Sequence, residues 1–290
     1  MIYTRITGGI GNQLFNYTLG RYLAEKHKVE LVLDISWFRQ FPYRTYDLDR
    51  FNITGRIPTL YERAGLWQMR DTQPNKYNRV AKRFTKLLPH ITYAREKSLH
   101  FDPTMLSLPD NTYIAGNWQS LNYFKDIEDI IRAELTLKTP SDYFAKVKQQ
   151  MESCNSIALH VRRGDYAYTQ KIKDSMGLCS PQYYQSAVEY IAARVPNSTI
   201  FVFSDDLPWV KANLSFAYPV IYIEHPEKKD YEEPLIMAAA KHQIISNSTF
   251  GWWGAWLNQN PGKIVCAPSK WLADDSQGQP DIVPSGWIRM

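Results

Sequence analysis

Short β-rich runs alternate with helical stretches along most of the chain, and several runs end in polar clusters. This alternation constrains the fold most, because strands separated by helices pair in parallel and build an α/β sheet. Residues 2–6 read as a strand, residues 8–13 as a glycine-rich turn, and Phe15, Leu19, Tyr22 and Leu23 recur at helical spacing before a β-rich run at 29–33. Strands are expected again at 113–115, 157–161, 199–203, 220–223, 244–245 and 264–265. Helices are expected at 59–69, 76–88, 126–135, from Ser180-Pro181 onward, 208–214, 234–241 and 252–258. Ser180 before Pro181 is an N-cap before a proline suited to the first turn, and Asp230 with Glu233 has capping-box spacing. Pro140 marks a linker, which divides the chain into domains 1–140 and 141–290.

Parallel sheets bind ligands beyond the C-terminal ends of their strands. Three polar clusters fall at such ends: Arg162 to Asp165 after His160-Val161, Ser204-Asp205-Asp206, and Asn247-Ser248-Thr249. Their coincidence points to one shared site. Arginine keeps its charge and grips phosphate in two places, so Arg162 and Arg163 at a strand end suit an anion, or else form loop ion pairs. Asn247, Ser248 and Thr249 precede a helix, where N–H groups and hydroxyls receive anions or simply cap. A carboxylate of Asp205 or Asp206 can accept two N–H bonds from a guanine edge, bind ribose hydroxyls, or cap the helix at Pro208.

The run Gly8-Gly9-Ile10-Gly11-Asn12-Gln13 has neither dinucleotide-fingerprint nor P-loop spacing, although Asp34 lies at a suitable distance for the former. It still offers N–H groups and a carboxamide at a helix start. Asp47-Leu48-Asp49 alternates carboxylates as metal sites do, but no further oxygen ligands cluster with it, so neither metal nor cofactor is expected. With 44% hydrophobic and 22% charged residues the chain is globular rather than disordered, and a net charge of +5 suits an anionic ligand or a membrane surface. Cys154, Cys179 and Cys266 are an odd set without pairing or zinc spacing, which suits free thiols in a reducing compartment. The start resembles no signal peptide and no stretch of about twenty apolar residues occurs, so a cytoplasmic protein is expected. Lys76, Arg79, Lys82, Arg83 and Lys86 lie on a basic helix that either meets the inner face of an anionic membrane or is a solvated face. No nucleic-acid fold signature accompanies them, and no nucleic-acid partner is expected.

In order, these segments resemble glycosyltransferase family 11, the α-1,2-fucosyltransferases, especially bacterial members. The matching segments are Gly8 through Tyr17, Gly116-Asn117-Trp118-Gln119-Ser120, His160 through Tyr166, Leu178-Cys179-Ser180, Phe203 through Asp206, and Ser246 through Trp256. The resemblance implies a GT-B-like fold of two Rossmann-like domains, with GDP-fucose bound by the C-terminal half and the acceptor shaped by the N-terminal half. It implies inversion without a metal, onto the 2-hydroxyl of a galactose in an oligosaccharide or lipid-linked glycan. It places Arg162 on the β-phosphate, Asp205 and Asp206 near guanine or ribose, and Asn247, Ser248 and Thr249 by the phosphates. His160 lies by the nucleoside and Asn12 beside the fucosyl phosphate. Some related α-1,6 enzymes carry a catalytic glutamate where this chain has Gln170, so Asp165 is the candidate base. Two other readings fit part of the pattern: a nucleotide- or glycan-binding protein without catalysis, and a transferase of another GDP-sugar.

Overall fold

A computed structural model describes residues 1–66, 91–274, 276 and 278–290. The basic segment from Lys76 to Lys86 lies outside these residues. The chain divides into two compact units, Met1–Leu135 and Thr136–Met290.

The first unit contains β1 (Ile2–Arg5), α1 (Ile10–His27), β2 (Leu31–Asp34), α2 (Leu60–Leu66), β3 (Thr92–Arg95), β4 (Thr112–Ala115) and α3 (Glu128–Glu134). Its sheet is parallel, in the order β2-β1-β4-β3. As interior strands, β1 and β4 are almost wholly buried, which is why they read as unbroken rather than alternating apolar runs. Helix α1 lies on this sheet so closely that a Cβ on Gly20 would stand 3.0 Å from both Leu31 and Thr4. A buried network ties α1 to α3: Arg21 Nε pairs with Glu134 at 2.9 Å, and Tyr17 and Thr54 donate their hydroxyls to the same carboxylate.

The second unit contains α4 (Asp142–Glu152), β5 (Asn155–Val161), α5 (Gly164–Tyr168), α6 (Gln170–Met176), α7 (Pro181–Ala192), β6 (Ser198–Ser204), α8 (Leu207–Asn213), β7 (Val220–Tyr222), α9 (Glu233–Ala238), β8 (His242–Ile244), α10 (Thr249–Leu257), β9 (Val265–Ala267) and β10 (Ile288–Arg289). Its sheet is parallel, in the order β10-β9-β8-β5-β6-β7. Alternate residues of β5 feed opposite layers. Ile157, Leu159 and Val161 join Tyr184, Val188 and Ile191 of α7 on one face, while Ala158 joins Met151 of α4 and Ile236 and Met237 of α9 on the other. From β5 the chain winds outward through β6 and β7, then returns to lay β8, β9 and β10 on the other side. The switch point therefore lies between β5 and β8, where open α/β sheets form their ligand crevice.

The expected parallel α/β architecture is present in both units. Ser180 caps α7 as its sequence implies, accepting from the Tyr183 N–H at 3.2 Å. Six elements differ. The proposed capping box at 230–233 does not form: Glu232 is the N-cap of α9 without a side-chain bond, and its buried carboxylate turns inward to Ser141 and His225. Helix α4, which was not expected, begins directly after Pro140 with Ser141 as its N-cap. Strand β3 and helices α5 and α6 were not evident from periodicity, and α10 starts three residues before the expected position at Thr249. Among the described residues, no helix is long and apolar enough to cross a membrane.

Candidate active site

Parallel pairing aligns Val161 with Ser204, so Arg162-Arg163 and Asp205-Asp206 leave neighbouring strands at the same end. Arg162 Nη1 pairs with Asp205 Oδ2 at 3.0 Å, while Nη2 pairs with Asp165. Asp205 Oδ1 also accepts the Arg163 backbone N–H at 2.8 Å. Gly164 makes room for this clamp, since a Cβ there would lie 2.4 Å from Asp205 Oδ2. Burial disfavours the Arg162 charge, but Asp205 and Asp165 outweigh it and raise the pKa. Its Nε is buried without a partner.

Arg163 leaves the opposite face of the strand, as pleating requires. Its Nε meets Asp206 Oδ2 at 3.2 Å, and its guanidinium lies 3.7 Å from the Trp209 ring centroid. Asp206 also accepts from the Tyr168 hydroxyl at 2.7 Å and caps α8 through the Trp209 N–H at 3.1 Å. Both motif carboxylates therefore already hold protein partners, and the capping alternative for Asp206 is realised.

Across the switch point, Leu159 pairs with Ile244, which brings His160 beside Ser246. His160 is buried, its Nδ1 shares a hydrogen bond with Ser246 Oγ at 2.9 Å, and its ring stacks on Phe250 at 5.3 Å. Burial and the Arg162 charge push its pKa down to about 3, so the imidazole is neutral. Gly251 is required beneath it: a Cβ would come within 2.7 Å of Nδ1. Asn247 is also buried, and its amide donates to the carbonyls of Met176 at 2.7 Å and Trp271 at 3.1 Å. It anchors loops around the site. Ser248 caps α10, and half-buried Thr249 is its first residue. Gln170, at the start of α6, bonds Asp174 at 2.7 Å on the surface. Burial pushes the thiols of Cys179 and Cys266 up to about 11 and 12, far from the range of a nucleophile. Trp252, Trp253 and Trp256 are core residues, not a carbohydrate-binding surface.

In the first unit, the glycine-rich run is a stitched loop. Gly8 takes a left-handed φ of 75°. Asn12 accepts from Gln119 at 3.1 Å, Gln13 donates to the carbonyl of Thr45 at 2.8 Å, and Asn16 donates to that of Gly116 at 2.7 Å. Two sequence motifs a hundred residues apart are thus one structural unit. Glu96, which no motif marked, holds the second of them by accepting the N–H groups of Asn117 and Trp118 at 2.7 and 2.9 Å. The loop after β2 carries a half-exposed aromatic group in which Trp37 and Phe41 stack at 4.3 Å and exposed Tyr43 meets Phe41 edge-on. Asp34 is buried against Tyr113, and Asp47 accepts from Thr45. Among the described residues, no group of three His, Cys, Asp or Glu side chains could hold a metal ion.

The sequence profile of glycosyl transferase family 11 matches residues 1–290. An alpha-1,2-colitosyltransferase of Escherichia coli is 29% identical over 297 residues, 100% of this chain and 99% of that protein. The galactoside 2-alpha-L-fucosyltransferase SEC1 of Bos taurus is 26% identical over 103 residues, 35% of this chain and 28% of that protein. The fold is similar to that of a mutant of FUT1 from Arabidopsis thaliana in complex with GDP, with a TM-score of 0.53, 12% identity and coverage of 92% of this chain and 70% of that one.

Proposed function

We propose that this chain, which belongs to glycosyl transferase family 11, transfers L-fucose from GDP-fucose to the 2-hydroxyl of a galactose residue with inversion. The observation that carries the reading is Arg162, fixed between Asp205 and Asp165 at the switch point of the second sheet. A diphosphate leaving group gains charge as the glycosidic bond breaks, and a cation already in place stabilises that charge without reorganisation. In this reading Ser248 and Thr249 meet the phosphates, and Asn12 meets the fucosyl phosphate. Asp205 and Asn247 position the site, and His160 supports it as a neutral ring. Asp165 is the carboxylate best placed in sequence to take the acceptor proton once phosphate has replaced it on Arg162. The acceptor is a galactose-terminated or lipid-linked glycan, served by the first unit, whose aromatic loop at Trp37, Phe41 and Tyr43 offers flat apolar faces to a pyranose. Cytoplasmic action is part of this proposal.

A second reading has its own support, because the relative that aligns over the full chain is named a colitosyltransferase. Colitose is fucose without its 3-hydroxyl. A site that hydrogen-bonds this hydroxyl rejects the deoxy sugar by as much as about 10⁴–10⁵ in kcat/KM. The test is incubation of the purified chain with GDP-fucose or GDP-colitose and a panel of β-galactosides, with linkage assigned by NMR. Fucose transfer to the 2-hydroxyl is expected to dominate. A preference for GDP-colitose would replace the donor assignment, and failure to release GDP with any galactoside would favour binding without catalysis. The arginine-centred phosphate site predicts that the rate survives EDTA. Loss restored by manganese or magnesium would refute that expectation.

A further inference from the structure

We propose that Glu233 reads the nucleobase of the donor, its carboxylate accepting hydrogen bonds from N1–H and the 2-amino group of guanine beside the Phe250 ring. The inference rests on the reading of the donor as a guanosine diphosphate sugar. Helices α9 and α10 both leave the C-terminal edge of the second sheet and return along it side by side. They pack closely enough that a Cβ on Gly254 would lie 2.7 Å from Cβ of Met237. One turn earlier on each helix stand Glu233 and Phe250, both half-buried. Phe250 stacks on His160, two residues before Arg162. Glu233, Phe250, His160 and Arg162 therefore follow one another along the edge where the phosphate site lies.

Three other carboxylates of the second unit are engaged. Asp205 holds Arg162, Asp206 holds Arg163 and Tyr168, and Glu232 holds Ser141 and His225. The carboxyl of Glu233 makes no hydrogen bond or ion pair among the described residues. Burial and neighbouring Asp230 push its pKa up to about 8, so the carboxyl gives up a proton when the two N–H donors of a nucleobase arrive to satisfy its ionised form. Two parallel N–H donors match the two oxygens of a carboxylate. Guanine presents such a pair on its Watson–Crick edge. The corresponding edge of adenine mixes donor and acceptor, and that of uracil flanks its single N–H with carbonyls, so neither fits.

Isothermal titration with GDP, IDP and ADP tests this, since IDP lacks only the 2-amino group. The unaltered chain should bind GDP about 10–100-fold more tightly than IDP, the worth of one hydrogen bond to an ionised group. Glu233→Gln and Glu233→Ala, shown folded by thermal melts, should weaken GDP binding by a similar factor and bind GDP and IDP alike. A folded variant that keeps the original GDP-to-IDP ratio would overturn the inference, as would equal binding of GDP and IDP by the unaltered chain; in both cases the GDP-sugar donor would stand. Failure of the unaltered chain to bind either guanine or hypoxanthine nucleotide would overturn the donor reading and the inference with it.

Discussion

Arg162→Lys should lower turnover by about 10²–10³-fold in a chain that still folds, the scale of removing one preorganised donor from a transition-state site. The guanidinium is held in a fixed orientation by Asp205 at 3.0 Å and by Asp165. An ammonium is a point charge on a flexible stem and cannot hold both carboxylates while presenting a planar fork to phosphate. Donor binding should weaken as well, by about 1.5–3 kcal/mol for a lost charge-assisted bond. Arg163→Lys is the internal control. Arg163 lies over Trp209 and pairs with Asp206, so its replacement should appear in the melting temperature more than in turnover. Steady-state kinetics beside thermal melts separate the two variants. Near-normal turnover by folded Arg162→Lys would remove the phosphate site from this position.

The largest loss of stability is expected for Arg21→Met. Arg21 and Glu134 form an ion pair whose side chains are each only 11% exposed. Removing one partner of a buried pair leaves the other charge uncompensated, which costs about 3–5 kcal/mol. The second contact of Arg21, with Glu25 one turn along α1, is more exposed and contributes little. Tyr17 and Thr54 still donate to the Glu134 carboxylate in the variant, but hydroxyls bring no countercharge. Denaturant unfolding should show a loss of unfolding free energy of this size. A loss below about 1 kcal/mol would show that water or neighbouring groups solvate Glu134 after the change.

The parts of the fold that were legible were those in which local pattern and burial agree. Ile157 to Val161 and Ile200 to Phe203 are apolar runs because both faces of an interior parallel strand are covered, and the structure buries them all. Strand β3 escaped notice because Thr-Tyr-Ala-Arg at a sheet edge alternates exposed and buried residues over only four positions. Helices α5 and α6 bury no residue fully, so they carry no apolar stripe to read. Glu232 defeated the capping reading because its partners, Ser141 and His225, are brought to it by tertiary structure. The site follows the same rule. Residue type and position at strand ends were visible, but which carboxylate meets which arginine depends on strand order, a long-range property. Hence Asp205 emerges as a clamp on Arg162, Glu96 carried no motif to announce it, and Glu233 was marked only by its capping-box spacing with Asp230.

The strand order of the first unit also dictates a timetable for the newborn chain. β1 is made first, yet it is an interior strand whose residue Ile2 must pair with Thr112. Contacts so distant along the chain form late and slowly. At ribosomal rates of about 5–20 residues per second, β1 waits on the order of 10 s before β4 has been synthesised. During that interval β2 can cover one side of β1, while the other presents unpaired N–H and C=O groups to any strand that drifts past. Recovery of soluble enzyme from an overexpressing cell should therefore respond more to chaperone supply and growth temperature than to the stability of the finished protein.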